Sequence, residues 1–303
     1  MTNVNEIASG FSFTEGPCFD ANGVLHVVEL ANRCVSRIVD GERVVLAELG
    51  GSPNGAAFAP NGDLYIANGG GNWGPNASTN GVAGRGGAGS YIQRINPDGW
   101  SQTVLAEIDG KPLNSPNDLC FGADGGLYFT DPVWPDRHED GSPDVSTVSA
   151  GDVCYLASDG TARRIHTGLL FPNGLAISPD GTYLVVDETG TGLVHRFDIE
   201  APGVVSEPEV YVDLGPTSGP DGMAFDSTGR LIVAGHGSGH AFVVAPGGGT
   251  VESELTFEDP EVSNVCFGGP NFSTMYFTLA RHGKVVAVEW DVPGAPLAPK
   301  AGS

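Results

Sequence analysis

The chain has 303 residues, and its 46 glycines and 22 prolines are typical of a fold built from many turns. Its 37 acidic residues against 14 lysines and arginines give a formal net charge of −23, which argues against nucleic acid or another polyanion as a partner. No apolar stretch approaches membrane-spanning length, and the first residues lack a basic and then apolar signal. Because the five cysteines show no CxxC spacing, we interpret them as reduced thiols and expect a cytoplasmic protein without a membrane partner.

Predicted β-strands begin near the N-terminus at residues 4–11 and then fall into six copies of one pattern. Each copy joins an apolar run to a second run through a turn rich in Asp, Asn, Gly or Pro, as in a β-hairpin. The clearest copy is PNGLAISPDGTYLVVDE at residues 172–188. We call the residues that open the six copies the anchors, and they are Glu15, Asn54, Asn117, Asn173, Asp221 and Asn264.

The spacing of the anchors predicts the fold. Successive anchors are 39, 63, 56, 48 and 43 residues apart. A repeat of roughly 40–50 residues with about four strands is typical of a propeller blade. We therefore predict an all-β fold, a six-bladed β-propeller, as a single domain over residues 1–303. The two longest intervals predict lid-like insertions at about 68–90 and 131–150.

The two ends of the chain are expected to share a blade. Only one strand-like run, residues 284–290, follows the last hairpin, so the sixth blade lacks an outer strand. The N-terminal run at residues 4–11 can supply it. An N-terminal strand that closes the last blade would leave no open sheet edge.

The anchors are candidates for a metal site. The first strand of each hairpin is uniformly small and apolar, so we expect it to be innermost, with its anchor at one mouth of the central channel. Loop capping explains Asn54 and Asn264 well, because Asn suits turns. The other four anchors offer oxygen atoms around one axis, which suits one hard divalent cation, Ca²⁺ first and Mg²⁺, Mn²⁺ or Zn²⁺ as alternatives. These predicted ligands are Glu15, Asn117, Asn173 and Asp221.

Five motifs carry a family resemblance. They occur in the order EGP at 15–17, SPNDL at 115–119 with YFTDP at 128–132, FPNGLAISPDG at 171–181, GPDGMAFD at 219–226 and NVCFGGP at 264–270. From about residue 7 to 288 the sequence resembles the SMP-30/gluconolactonase family. The resemblance implies a six-bladed propeller of metal-dependent lactonases, with Glu15, Asn173 and Asp221 as metal ligands. It also implies that Asn117 contacts the metal or the substrate beside it.

Two further residues follow from the resemblance. Related propeller lactonases use an aspartate at the end of the second strand of the third blade, where this chain has Asp131. Animal members place a sugar-binding arginine two residues before the asparagine that matches Asn117, where this chain has Ser115. The sequence is therefore similar to the bacterial gluconolactonase-type branch, and the preferred lactone stays open.

The direction of the strands predicts what surrounds the site. If the first strand leaves the metal face, the second returns to it, so second-strand ends should lie near the rim. This places Glu29, Asn68, Asp131, Glu188 and His236 there. Of these, Asn68 and His236 are predicted substrate contacts, together with Asn117 and with Trp73 in the first insertion. Trp73 either offers the substrate an apolar surface or is simply exposed, and His236 either lines the pocket or is structural.

We expect hydrolysis of a cyclic ester, a sugar-type or other small lactone, by attack of a metal-polarised water. Asp221 or Asp131 would accept the proton of that water. A serine nucleophile is not indicated, since the chain has no GxSxG motif. The alternatives are another reaction at the same metal site, such as that of a lyase, isomerase or phosphoesterase, and a propeller that binds a small ligand without turnover.

Overall fold

A computed structural model of the chain describes residues 3–71, 89–136 and 144–296. These ranges contain 27 strands and one short 3₁₀ helix, Val145–Thr147. In chain order the strands are β1 (Asn5–Ser9), β2 (Thr14–Phe19), β3 (Leu25–Glu29), β4 (Cys34–Val39), β5 (Glu42–Glu48), β6 (Pro53–Phe58), β7 (Leu64–Asn68), β8 (Tyr91–Ile95), β9 (Ser101–Leu105), β10 (Glu107–Ile108), β11 (Lys111–Pro112), β12 (Leu119–Phe121), β13 (Leu127–Val133), β14 (Ser149–Leu156), β15 (Ala162–Leu170), β16 (Pro172–Ile177), β17 (Tyr183–Glu188), β18 (Leu193–Ala201), β19 (Val204–Val205), β20 (Glu209–Asp213), β21 (Pro220–Phe225), β22 (Leu231–Gly235), β23 (His240–Val244), β24 (Val251–Thr256), β25 (Val262–Gly268), β26 (Thr274–Leu279) and β27 (Lys284–Glu289).

Six antiparallel sheets form the blades. From inner to outer strand, blades 1 to 6 consist of β2–β5, β6–β9, β12–β15, β16–β18 with β20, β21–β24, and β25–β27 with β1. The inner strands β2, β6, β12, β16, β21 and β25 contact one another in this order, and β25 also contacts β2. The ring is therefore closed, and the predicted six-bladed β-propeller is confirmed.

Strand β1 completes the last blade. It pairs antiparallel with β27, and the paired residues run from Asn5 opposite Ala287 to Ser9 opposite Lys284. The prediction that the N-terminal strand closes the ring is confirmed. The sixth sheet thereby gains its fourth strand from the other end of the sequence.

Apolar side chains fill the six interfaces between blades. Each of six buried clusters joins two neighbouring blades: the cluster of Phe197 and Tyr128 joins blades 3 and 4, and that of Val27 and Val285 joins blades 6 and 1. Burial of one such side chain contributes about 1.5–3 kcal/mol. The core is thus spread around the ring and leaves the axis to the residues that begin the inner strands.

The two long connections follow second strands, as the sequence predicts. One joins β7 to β8 and the other joins β13 to β14. Trp73 of the first connection and Arg137 and His138 of the second lie outside the described residues. The described part of the chain contains no helix that is long and apolar enough to cross a bilayer.

Candidate functional site

The anchors lie where the inner strands begin. Glu15, Asn54, Asn173 and Asp221 are the second residues of their strands. The pairing with the second strand is irregular at this point, for example between Pro172 and Leu175 in blade 4. An irregularity of this kind re-aims side chains, and it is common beside active sites. All six anchors are buried.

Glycines that follow the anchors let neighbouring blades approach closely. A Cβ atom on Gly174 would lie 2.2 Å from the carbonyl oxygen of Asp221, and one on Gly222 would lie 1.9 Å from Cγ of Asn264. No side chain fits at such distances, so only glycine permits this contact. The backbone of blade 4 therefore packs directly on that of blade 5, and the backbone of blade 5 packs on the Asn264 side chain of blade 6.

Four buried carboxyl groups, which we call the axial carboxyl cluster, interact at the channel. They are Glu15, Asp118, Asp187 and Asp221. Burial, together with the nearby charge of Asp118, raises the pKa of Glu15 to about 8, although a hydrogen bond from Asn264 lowers it. The pKa of Asp221 lies well above its usual value because of burial and then the charges of Glu15, Asp187 and Asp118. Burial also raises the pKa of Asp118 to about 7.

His236 lies beside this cluster. Its Nδ1 atom is 3.8 Å from Oδ2 of Asp221 and has no hydrogen-bond partner although it is buried. Burial lowers the pKa of His236, which favours the neutral imidazole. The ring also packs 6.0 Å from that of Phe13. The structure thus brings His236 to a predicted metal ligand, and its contact with substrate stays a prediction.

The donors at the axis fit a hard cation. Oδ1 of Asn173 is buried and lacks a hydrogen-bond partner, so one predicted ligand atom is unsatisfied. When Glu15 and Asp221 are both ionised, their charges repel each other, and a bound cation would relieve this repulsion. In the described ranges, however, no three His, Cys, Asp or Glu side chains converge as a ready-made metal site. The predicted set supplies two carboxylates, and amide oxygens would complete it.

Asn264 has a second role besides capping. Its Oδ1 accepts a hydrogen bond from the backbone N–H of Val265 at 2.8 Å, as expected for a residue that caps its own strand. Its Nδ2 donates to Oε2 of Glu15 at 3.1 Å. Asn264 is expected from its sequence to be a loop residue only, but it also hydrogen-bonds to Glu15, a predicted ligand.

Asp118 and Asp187 are the site residues that the sequence analysis misses. Asp187 Oδ2 accepts a hydrogen bond from Gly174 N at 2.9 Å, and Asp118 Oδ1 accepts one from Leu119 N at 2.8 Å. A signal for Asp118 was available: four anchors are followed by glycine, but Asn117 is followed by an acid. Nothing in its own repeat distinguishes Asp187, because the neighbouring Glu188 is equally acidic.

Two predicted site residues face their own blades. Asn68 is fully buried, accepts a hydrogen bond from Ser52 N at 2.9 Å and donates to Oε1 of Gln93 at 2.9 Å. Asp131 is also fully buried and accepts hydrogen bonds from the backbone N–H groups of the loop before Asn117. Burial raises the pKa of Asp131 to about 7, against these two bonds. The substrate contact of Asn68 and the catalytic role of Asp131 stay predictions.

The remaining candidates are divided between the described and undescribed parts. Asn117 is buried, and its backbone N–H donates to the carbonyl oxygen of Thr130 at 3.0 Å, which ties it to the second strand of its blade. Trp134, beside the second insertion, packs edge-on against Phe171 with 5.1 Å between ring centroids. Trp73 lies outside the described residues, so its predicted contact with substrate stays a prediction.

Comparison with known families identifies the chain. The model of the SMP-30/Gluconolactonase/LRE-like region matches residues 13–281, which include five blades and the two inner strands of the sixth. The chain belongs to this family. The resemblance found in the sequence motifs is thereby confirmed.

Individual relatives match parts of the chain. A gluconolactonase of Zymomonas mobilis is 32% identical over 187 residues, which is 58% of this chain and 52% of that protein. Diisopropyl-fluorophosphatase of Loligo vulgaris is 28% identical over 207 residues, or 66% of this chain and 65% of that protein. The matched region thus spans about half to two thirds of these relatives. The structure of a gluconolactonase from Xanthomonas campestris shares the fold, with a TM-score of 0.75, 24% identity and coverage of 94% of this chain and 89% of that one.

Proposed function

We propose that the protein is a divalent-metal-dependent lactonase that opens a small cyclic ester by attack of water. The observations that carry the proposal are the axial carboxyl cluster, in which the charge of Glu15 raises the pKa of Asp221, and the buried Oδ1 of Asn173, which lacks a hydrogen-bond partner. Buried like charges at this density are unfavourable unless a cation is bound. The relative named gluconolactonase supports a lactone as substrate.

The residues that would hold the cation are Glu15, Asn117, Asn173 and Asp221. When bound, a divalent cation would polarise the lactone carbonyl and stabilise the negative charge that develops on its oxygen. Asn264 keeps Glu15 oriented through the 3.1 Å hydrogen bond from Nδ2. A ligand set of two carboxylates and two amides suits calcium, although magnesium, manganese and zinc remain open.

Asp221 is the proposed proton acceptor. A water molecule attacks the carbonyl carbon while Asp221 takes one of its protons. The ring C–O bond then breaks, and the leaving alkoxide takes that proton, so that the product is an open-chain hydroxy acid. Neutral His236, 3.8 Å from Asp221, lies where it can contact a substrate bound at the carboxylate.

A second candidate reaction is hydrolysis of an activated phosphoester. It is favoured by the relative named diisopropyl-fluorophosphatase, which covers 66% of the chain. Electrophilic carbonyl and phosphoryl groups both gain from the same kind of cationic site, so the geometry supports either substrate class. Substrate profiling separates the two.

A pH-stat assay tests the proposal directly. The purified protein is offered aldonolactones, apolar lactones and diisopropyl fluorophosphate, with calcium and with excess chelator. We expect chelator-sensitive release of acid from at least one lactone, and its loss in Glu15→Gln. Turnover that survives exhaustive removal of divalent cations would disprove metal dependence, and activity on the fluorophosphate alone would favour the second candidate.

A further inference from the structure

The second strands of blades 1 to 4 place one oxygen-bearing side chain at an equivalent position. In blades 1, 2 and 4 this residue is paired with the one that precedes the anchor, just before the irregularity in the pairing. The pairs are Glu29 with Thr14, Asn68 with Pro53 and Glu188 with Pro172. Asp131 occupies the corresponding position in blade 3, next to Thr130, whose carbonyl accepts the N–H of Asn117.

All four side chains accept a hydrogen bond from the backbone of the segment that leads into the anchor of their own blade, which is a loop in blades 1 to 3 and, for blade 4, the last residue of β15. The bonds are Ser12 N to Glu29 Oε2 at 3.2 Å, Ser52 N to Asn68 Oδ1 at 2.9 Å, Ser115 N to Asp131 Oδ1 at 2.7 Å and Leu170 N to Glu188 Oε1 at 2.5 Å. Each donor lies two or three residues before the anchor. We call the four acceptor side chains the latches, and all are at most 7% exposed.

The physical need for a latch is local. Each loop carries the chain from the outside of one blade to the axis, and its N–H groups turn away from water before a strand partner is available. A buried backbone donor must find an acceptor, because an unsatisfied one is costly. An oxygen fixed on the second strand meets this need and holds the loop, and with it the anchor that follows.

Blades 2 and 5 show that the latch is a feature of the architecture. The latch of blade 2, Asn68, serves Asn54, which is not among the predicted metal ligands. In blade 5 the equivalent position is Gly235, which has no side chain, and the loop before Asp221 is held by a backbone bond from His236 N to Gly219 O at 2.7 Å. Three latches therefore precede predicted ligands and one does not, which supplies an internal control.

We propose that Glu29, Asp131 and Glu188 are positioning residues that fix the anchors Glu15, Asn117 and Asn173. The proposal rests on the function proposed above and gives Asp131 a role within it: Asp131 holds the loop before Asn117, and Asp221 stays the proton acceptor. Its Oδ1 accepts from Ser115 N, and its Oδ2 accepts from Asn114 N at 2.9 Å and from the Asn114 side chain at 3.3 Å. Both oxygens of this fully buried carboxyl are thus turned toward the loop.

Removing a latch tests the positioning role. Asp131→Ala is compared with the matched control Asn68→Ala, and calcium is titrated by calorimetry into each chelator-treated protein. We expect Asp131→Ala to weaken calcium binding by about 10–100-fold and Asn68→Ala by less than about threefold. Amide hydrogen exchange should accelerate at Ser115 in the first variant and at Ser52 in the second, whether or not calcium is present.

Asp131→Asn separates a latch from a base. Asparagine keeps an acceptor oxygen, as Asn68 does in blade 2, so turnover on a lactone that the wild type hydrolyses should fall by less than about tenfold with an unchanged pH profile. Loss of a general base would instead lower turnover by about 10²–10⁴ while calcium affinity stays the same. This variant also carries the test if Asp131→Ala does not fold.

The outcomes distinguish failure of the latch assignment from failure of the proposed function on which it rests. Unchanged calcium affinity in Asp131→Ala, unchanged exchange at Ser115, or a turnover loss above about 10²-fold in Asp131→Asn overturns the latch assignment alone. Failure of the wild type to bind calcium or another divalent cation overturns the proposed function and the positioning role together. Weaker calcium binding that is confined to the latches of blades 1, 3 and 4 supports the proposal.

Discussion

Two buried glutamates of blade 1 titrate in opposite directions. Burial raises the pKa of Glu29, but hydrogen bonds from Arg43, Ser36 and Asn32 outweigh it and leave the pKa below its usual range. In Glu15 burial dominates, and the pKa rises to about 8. Both side chains are shielded from solvent, yet their pKa values move in opposite directions, because a paired cation and several donors stabilise the charged form of Glu29.

The comparison supports the axis as the proposed functional region. Glu29 is satisfied within the protein, with Arg43 Nε at 2.5 Å and the Asn32 amide at 2.6 Å. For Glu15, Asp187 and Asp221, the neighbouring charges that raise the pKa are those of other acids of the axial carboxyl cluster. A satisfied carboxylate stabilises the fold, whereas this uncompensated cluster is the site proposed to bind a cation.

The largest effect is expected from Glu15→Gln. Removal of one ligand charge should lower calcium affinity by at least about 100-fold and turnover with it. Because Glu15, with a pKa of about 8, is protonated in the cation-free protein at neutral pH, its replacement by neutral glutamine should leave the free energy of unfolding of that protein nearly unchanged. Calorimetric titration with calcium and chemical denaturation in chelator measure the two quantities. A marked loss of stability would show that Glu15 is structural, like Glu29.

The affinity for cations should depend on pH in the window set by the cluster. Glu15, with a pKa of about 8, and Asp118, with a pKa of about 7, hold protons at neutral pH that a cation must displace. Calcium affinity should therefore rise between about pH 6 and 8, up to about tenfold per pH unit for each proton released. Calorimetry in buffers of different ionisation enthalpy counts those protons. A flat affinity over this range would contradict the raised pKa values.

The raised pKa of Glu15 also sets the direction in which the stability of the cation-free protein changes with pH. The pKa of Glu15 is higher in the folded than in the unfolded chain, so its protonated form stabilises the cation-free fold at low pH. That stability is lost as the pH rises from about 4.5 toward 8. Thermal unfolding with chelator should show a falling Tm over this range, and calcium should remove most of the fall.

A smaller effect is expected from Glu29→Gln, which changes the glutamate of blade 1 that is paired with Arg43. This change weakens charge-assisted hydrogen bonds and leaves Arg43, which is 29% exposed, without its partner. The free energy of unfolding should fall by about 1.5–3 kcal/mol. Calcium affinity should fall less than in Glu15→Gln, because the altered group is a latch and not a ligand. Urea denaturation of the two variants side by side provides the check.

The smallest effect is expected from salt. With a net charge of −23, the chain repels itself at low ionic strength. Raising sodium chloride from about 0.1 to 1 M shortens the screening length from about 10 to 3 Å and should raise the Tm by a few degrees. The gain should be larger with chelator than with calcium, because bound calcium already neutralises part of the axis. An equal rise in Tm with chelator and with calcium would show that the repulsion lies elsewhere on the surface.

The sequence predicts the fold well because the fold repeats. Six similar hairpins at intervals near one blade length leave few alternatives, and the short last repeat points to β1 as the closing strand. The buried anchors follow from the same alignment. Their neighbours do not, because Asp118 and Asp187 become members of a cluster only when strands far apart in sequence meet at the axis.

The direction of the strands predicts where a polar side chain lies better than it predicts which way that side chain points. It places Glu29, Asn68, Asp131 and Glu188 at the ends of second strands, as the structure shows. It does not reveal that these side chains turn toward the loops of their own blades, because that depends on which backbone N–H groups lack a strand partner. A polar residue at a strand end can serve either a ligand or the backbone, and the sequence alone does not distinguish the two.

The contact between glycines and neighbouring strands has a consequence for how this site can diverge. At Gly174 an added Cβ atom would lie 2.2 Å from the carbonyl oxygen of Asp221, so a larger residue there would push blades 4 and 5 apart, whereas at Gly222 it would meet the side chain of Asn264. Substitution of Gly174 therefore cannot widen or narrow the bore by degrees. New substrate preferences are expected to arise instead in the long connections that follow β7 and β13.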